Sequence, residues 1–347
     1  MSLLLNIEQR NAVLNSMIQW LQKEKNTLLE ANKKDMESYS GADIAMYDRL
    51  KVDDDKIKGM IKSLRELAQL DDPLNIERFH FEHENGMSVS NRTAPFGTVL
   101  IIYESRPDVT IEAAGIAFKS GNKILLKGGK ESLNSNLVLV DLWHKALQEN
   151  HVSTAWVEYL KFNRSETQAF LENPTQKLDL IVPRGGEKLI AFVKQHATCP
   201  VIVSGRGNNF AFVDVDADQE MALDIIINAK TTKISACNAL DKVLIHDRLP
   251  NKSAFLDKLV GKLLESNGGG HSAAIITKNE NTATEFMNSV DTAAVYHNAS
   301  TRFTDGGQFG LGGELAISTD KLHQRGPIGL QHLVTNKWYV KGNGQVR

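Results

Sequence analysis

Cys237, in the stretch ISACNALDKVLIH, is the residue of this chain best suited by type to covalent chemistry. A thiolate attacks a carbonyl carbon when nearby positive charge and partial exposure lower its pKa. Lys230 and Lys233 precede it, and the polar Asn238 follows it before the apolar run KVLIH. A small hydrophobe filling a gap between a helix and a strand fits the same residue. The other cysteine, Cys199, opens the apolar run CPVIV, where burial is the favoured reading. Three glycine-marked segments, LLKGGKES, IVPRGGEKL and VSGRGNN, each follow an apolar run. Glycines there, Gly185 and Gly186 above all, let backbone N–H groups approach a phosphate at a helix N-terminus. A tight strand-to-helix turn explains them equally, and neither a G-x-G-x-x-G nor a Walker motif is present. Lys127, where KILLKGG emerges into solvent, could meet a ribose or a phosphate, or simply solvate the strand end. Arg302 in ASTRFTDG could clamp a carboxylate or phosphate bidentately; a loop capped by Thr and Asp competes. IYESRPDV sets Glu104, Ser105, Arg106 and Asp108 at a strand end, as a site or as structural ion pairs.

The elements that must position these residues follow from hydrophobic periodicity. Residues 5–70 read as helices, with Asp53–Asp55 an acidic first turn and Pro73 closing the region. Residues 79–94 alternate around Asn85-Gly86, a two-residue hairpin signal. Strands are expected at 97–103, 123–129, 155–160, 178–184 and 199–205, with helices at 110–121, 133–148 and 187–197. Apolar strands alternating with helices imply a parallel sheet covered on both faces, so 97–205 reads as a doubly wound α/β unit. The second half repeats the pattern: helices at 219–230 and 251–265, strands at 242–246, 272–277 and 292–298, and a terminal strand within 332–347. Ligands of such sheets collect at the carboxyl ends of strands.

Composition is ordinary for a globular protein: 347 residues, 41% hydrophobic and 24% charged. A net charge of -2 creates no global field for nucleic acid or an anionic membrane. Two cysteines make no disulfide framework and fit a reducing compartment, the cytoplasm. Glu8 and Arg10 come too early for a signal peptide, no apolar run is long enough to span a bilayer, and no metal is called for.

Together, IIYESRPDVTIEAA, KSGNKILLKGG, LDLIVPRGGEKLI, NAKTTKISACNALDKVLIH, VDTAAVYHNASTRFTDG, KLHQRGPIGL and GNGQVR resemble the gamma-glutamyl phosphate reductases of the aldehyde dehydrogenase superfamily. The resemblance runs in order over nearly the whole chain. It implies a Rossmann-like NADPH-binding domain (1–77 and 97–230), a second α/β catalytic domain (231–328) and a β oligomerisation arm (78–96 and 329–347). The implied reaction, the second step of proline biosynthesis from glutamate, reduces L-glutamyl 5-phosphate to L-glutamate 5-semialdehyde with NADPH. Cys237 matches the nucleophile, with Asn238 beside it and Ser105 as an oxyanion donor with the Cys237 N–H. Lys127, Gly128, Pro183, Arg184, Gly185 and Gly186 are implied for the cofactor, and Arg106, Asn298 and Arg302 for the substrate's charged ends. A homodimer or tetramer, and association with glutamate kinase, are the implied partners.

Three departures stand out. Val203 occupies the position where hydrolytic relatives carry a glutamate general base, as suits a reductase that activates no water. Ile-Ser-Ala precedes Cys237 in place of an Arg-Pro-containing run. KLLESN passes directly into GGGHSAAIIT, so the catalytic domain is shortened after Asn267. A scaffold of weakened activity is the alternative that this shortening raises.

Overall fold

The computed structural model describes residues 5–41, 44–203, 209–232, 238–263, 272–318 and 324–346. Cys237, Lys233 and the junction after Asn267 lie outside them. The chain divides into two compact units, one of 1–203, 311–316 and 328–347, the other of 204–310 and 317–327. The first stretch of the first unit runs to Val203, and that unit also takes in 328–347, the stretch expected within the arm.

The first unit opens with α1 (Ile7–Lys23), α2 (Lys25–Ser38), α3 (Ile44–Leu50) and α4 (Asp54–Gln69). Asn6 caps α1 reciprocally: its Oδ1 accepts from Gln9 N–H at 2.8 Å, while its own N–H donates to Gln9 Oε1 at 3.1 Å. Asp53 caps α4 by accepting from Lys56 N–H, which holds its carboxyl below the usual range. Ile57, Met60, Leu64 and Leu67 form the buried stripe of α4.

The hairpin β1 (Glu77–Glu82) and β2 (Ser88–Pro95) follows. Its turn differs from the two-residue form expected. His83 N–H donates to Met87 O and Gly86 N–H to His83 O, which leaves a three-residue loop. Gly86 adopts φ 84°, while Asn85 stays out of the left-handed region.

Next come β3 (Thr98–Tyr103), α5 (Val109–Lys119), β4 (Lys123–Lys127), α6 (Leu133–Glu149), β5 (Val157–Tyr159), α7 (Arg164–Glu172), β6 (Leu180–Arg184) and α8 (Glu187–His196). The strands pair in parallel in the order β5-β4-β3-β6. Alternate residues of β3 serve two cores, as a sheet buried on both faces requires. Val99, Ile101 and Tyr103 pack with Trp143 and Phe118, whereas Leu100 and Ile102 pack with Phe170 and Val193. The strand expected at 199–205 reduces, in its described part, to a bridge between Val201 and Ile181; Pro200 has no N–H to extend a ladder. Cys199 is half-buried, and burial raises its thiol pKa.

The second unit contains β7 (Phe210–Val213), α9 (Gln219–Thr231), β8 (Lys242–Ile245), α10 (Lys252–Leu263), β9 (Ala273–Ile276), α11 (Glu280–Ser289) and β10 (Val295–His297). Its parallel sheet runs β10-β9-β7-β8, so β7, which no expectation included, lies between β8 and β9. Ala211, Val213, Ile226, Phe255 and Ile276 meet in its core.

Two short strands, β11 (Ala316–Ser318) and β12 (Gly326–Ile328), pair with each other. The last strand, β13 (Val334–Lys341), completes an antiparallel sheet with β2 and β1.

Candidate functional site

In the first unit the chain winds from β3 outward to β5, then returns to place β6 on the other side of β3. Loops leaving β3 and β6 therefore diverge, the arrangement that opens a ligand crevice at the carboxyl ends of parallel strands. A cavity of about 830 Å³ lies there, lined by Glu104, Lys127, Gly128, Glu131, Tyr159 and Arg164 among others. Lys127 and Gly128 thus line it, while Pro183 and Arg184 end β6 opposite Ile102 and Tyr103. Pro183 is buried, Arg184 half-buried, and Gly185 and Gly186 exposed.

The glycines differ in what they permit. A Cβ on Gly128 would lie 2.2 Å from Asn136 Nδ2 and 2.9 Å from the Tyr159 hydroxyl. These belong to a buried chain in which Tyr103 OH meets Thr110 Oγ1, Thr110 donates to Asn136 Oδ1, and Asn136 Nδ2 donates to Tyr159 OH. A Cβ on Gly185 would lie 2.4 Å from the Glu104 carboxylate, whereas Gly186 meets nothing nearer than 3.9 Å. Gly186 N–H already donates to Glu104 Oε2 at 2.9 Å. Burial pushes the Lys127 ammonium pKa down, opposed by the charges of Glu131 and Glu104.

Ser105 was expected as an oxyanion donor, but the structure commits it elsewhere. Its N–H and hydroxyl donate to Glu131 Oε1 at 2.9 and 2.7 Å, leaving neither proton for a ligand oxygen. Its φ of 41° is a left-handed conformation costing about 1–3 kcal/mol for a residue with a side chain. Arg106 pairs with Asp108 at 2.7 Å. Burial opposes ionisation of Asp108, yet Arg106 and Lys56 hold its carboxyl below the usual range. One turn further on, burial, reinforced by the Asp108 charge, raises the Glu112 carboxyl to about 7.

In the second unit the nominated side chains hydrogen-bond to neighbouring segments of the same unit. Asn238 Nδ2 donates to Thr304 O at 2.7 Å and Arg302 O at 3.3 Å. Its Oδ1 accepts from the Arg302 guanidinium, and its backbone O accepts from Thr301 Oγ1. Arg302 Nε is buried without a hydrogen-bond partner. Asn298, at φ 51°, spends its amide on Thr277, accepting from the backbone N–H and donating to the carbonyl. Lys230, read as a source of positive potential for Cys237, donates to Leu240 O at 2.8 Å.

Comparison with known proteins decides the family. The model of the aldehyde dehydrogenase family matches residues 4–269. A gamma-glutamyl phosphate reductase of Clostridium perfringens is 37% identical over 98% of this chain and 94% of its own length. The chain belongs to the gamma-glutamyl phosphate reductases. The crystal structure of the Thermotoga maritima gamma-glutamyl phosphate reductase superposes with TM-score 0.89 at 34% identity, covering 99% of this chain and 95% of that one. Fold likeness extends to a Methanocaldococcus jannaschii glyceraldehyde-3-phosphate dehydrogenase complexed with NADP, with TM-score 0.72 at 14% identity over 98% of this chain and 90% of that one.

Among these reductases the chain is short. The match to the Clostridium relative runs over 390 positions, more than the 347 residues of this chain, so the relative carries residues absent here. The place expected for the shortfall, after Asn267, lies outside the described residues, as does Cys237. Glu131 is the participant that spacing did not reveal, and Glu104 was read only as one of four polar residues at a strand end. Both act between loops that follow different strands, where no local pattern reports them.

Proposed function

We propose that the chain reduces L-glutamyl 5-phosphate to L-glutamate 5-semialdehyde with NADPH, releasing phosphate, as the second step of proline biosynthesis from glutamate. The near full-length match at 37% identity carries this reading, and the cavity of the first unit fits the cofactor. Five cations, Lys127, Lys130, Lys161, Arg164 and Lys188, line it against two carboxylates, Glu104 and Glu131, among the described residues. That excess suits a dinucleotide with a third phosphate, and so NADPH over NADH. Gly128 lines the cavity without a side chain, Gly185 and Gly186 at the end of β6 would meet the diphosphate, and Tyr159, Leu160 and Phe192 offer apolar surface for a base.

The Cys237 thiolate attacks the acyl carbon, the carbon–oxygen bond to phosphate breaks, and a thioester forms. NADPH bound in its cavity would supply the hydride for reducing this thioester, with the Cys237 thiolate as the leaving group. With both Ser105 protons on Glu131, the oxyanion donor is assigned to the Cys237 N–H. Asn238, through Arg302 and Thr304, anchors the residue after the nucleophile to the 301–304 segment. Val203, buried, offers no carboxylate to activate water.

We infer that a second copy of the chain covers the arm. Phe79 and Trp338 both face Asn91, and Phe81 and Val340 both face Val89, which puts four half-exposed hydrophobes on one side of the sheet. Sedimentation should therefore show a dimer or tetramer, and a monomer at micromolar concentration contradicts this. The residues that the relative carries and this chain lacks support a second reading, a weakened scaffold that partners glutamate kinase. The reverse reaction separates the two. The reductase reading expects NADP-linked oxidation of glutamate 5-semialdehyde that requires phosphate; phosphate-independent formation of glutamate, or no turnover by folded protein, sinks it.

A further inference from the structure

Observations around the ends of β3 and β4 converge on one side chain, Glu131, that the proposed chemistry does not use. A single oxygen of Glu131 accepts from both the N–H and the hydroxyl of Ser105. Ser105 is buried at φ 41°, where a residue with a Cβ stays only if its surroundings enforce it. Gly129 supplies the space: a Cβ there would lie 2.0 Å from Glu131 Oε1, so its missing side chain lets the carboxylate fold back toward β3. On the other side of Ser105, Glu104 accepts from Gly186 N–H. The loops after β4, β3 and β6 are thus one hydrogen-bonded series along the cavity.

We propose that Glu131 is a positioning residue of the cofactor cavity. It braces Ser105 in its left-handed turn, and through that turn holds Glu104 and the Gly185–Gly186 corner in register. The proposal rests on the cofactor reading above. Glu131 acts through Ser105 and takes no part in bond making.

The full-length protein serves for the test, with Glu131→Gln, Glu131→Ala, Ser105→Gly and the Ser105→Gly/Glu131→Ala double variant. NADPH affinity is measured by titration, and amide hydrogen exchange follows residues 104–106. Glu131→Ala should weaken NADPH about tenfold and change kcat at saturating NADPH far less, because small misplacements are felt at a binding constellation. Glu131→Gln, which keeps an acceptor oxygen, should retain most of the affinity. Glycine adopts φ 41° without strain, so Ser105→Gly should recover part of the loss in the Glu131→Ala background. A structural defect elsewhere, or a direct Glu131–cofactor contact, would not be rescued this way. Unchanged NADPH affinity in Glu131→Ala, or a double variant weaker than Glu131→Ala, overturns the proposal. If wild type binds no NADPH, the cofactor reading falls by itself and exchange decides the brace: faster exchange at Ser105 in Glu131→Ala supports it, unchanged exchange overturns it.

Discussion

The loops at the ends of β3, β4 and β6 and the 298–304 segment of the second unit carry similar residue types but use them oppositely. In the first set, glycines keep the backbone bare and the carboxylates of Glu104 and Glu131 reach across to neighbouring loops. A cavity stays open beside them. In the second, Asn298 and Arg302 turn inward onto Thr277 and Asn238, and Asn238 in turn donates to Thr304. Residues that look most ligand-like by type are therefore the ones holding a loop in shape. Room for a ligand comes instead from positions with no side chain.

The contrast is broken most forcefully at Gly128. Gly128→Ala drives a Cβ into Asn136 and Tyr159, and should destabilise the protein by about 1–3 kcal/mol and abolish measurable NADPH binding; thermal melts and titration check both. In the second unit, Asn238→Ala strips a donor from two carbonyls and the acceptor from Arg302. A loss on the order of 2 kcal/mol is expected in denaturant unfolding, with NADPH affinity unchanged. A large loss of NADPH affinity there would erase the distinction between the two regions.

Cationic lining makes a smaller, salt-sensitive difference. Removing Lys161 and Arg164 together by alanine should weaken NADPH about tenfold, about 1.4 kcal/mol, and leave NADH affinity nearly unchanged. Equal losses for both cofactors would contradict the phosphate reading. Glu112 gives a pH signature. Its folded pKa, raised to about 7 from 4.5, means that its contribution to stability is complete below 4.5 and is lost as pH rises through about 7. Glu112→Gln should therefore melt close to wild type at pH 5 and above it at pH 8; a gap that does not grow with pH refutes the assignment. Smallest of all, Gly186→Ala should change the melting free energy by no more than about 0.5 kcal/mol, because its Cβ would meet nothing nearer than 3.9 Å.

Much of the first unit was legible because strands buried on both faces must be apolar at their centres, as VLII in β3 and ILL in β4 are, and glycines punctuate their ends. Other elements gave weaker signals. The α7 helix carries a reciprocal cap between Asn163 and Glu166, a readable pattern, but only nine residues follow the cap. β7 is only four residues, FAFV, and its place between β8 and β9 is set by the sheet it joins. The Glu131–Ser105 contact spans 26 residues and two loops, and nothing in either loop announces it. Asn298 was legible as polar and positioned at a strand end; that its amide would be spent on Thr277 depends on β9 lying alongside β10.

The central claim is that this chain carries out acyl-phosphate reduction through Cys237. It is tested most directly by following NADPH oxidation and phosphate release together, with enzymatically generated L-glutamyl 5-phosphate, for wild type and Cys237→Ala. The account predicts one phosphate released per NADPH oxidised by wild type, and no NADPH oxidation by a folded Cys237→Ala protein. Equal rates in the two proteins, or a folded wild type that oxidises no NADPH, would contradict it.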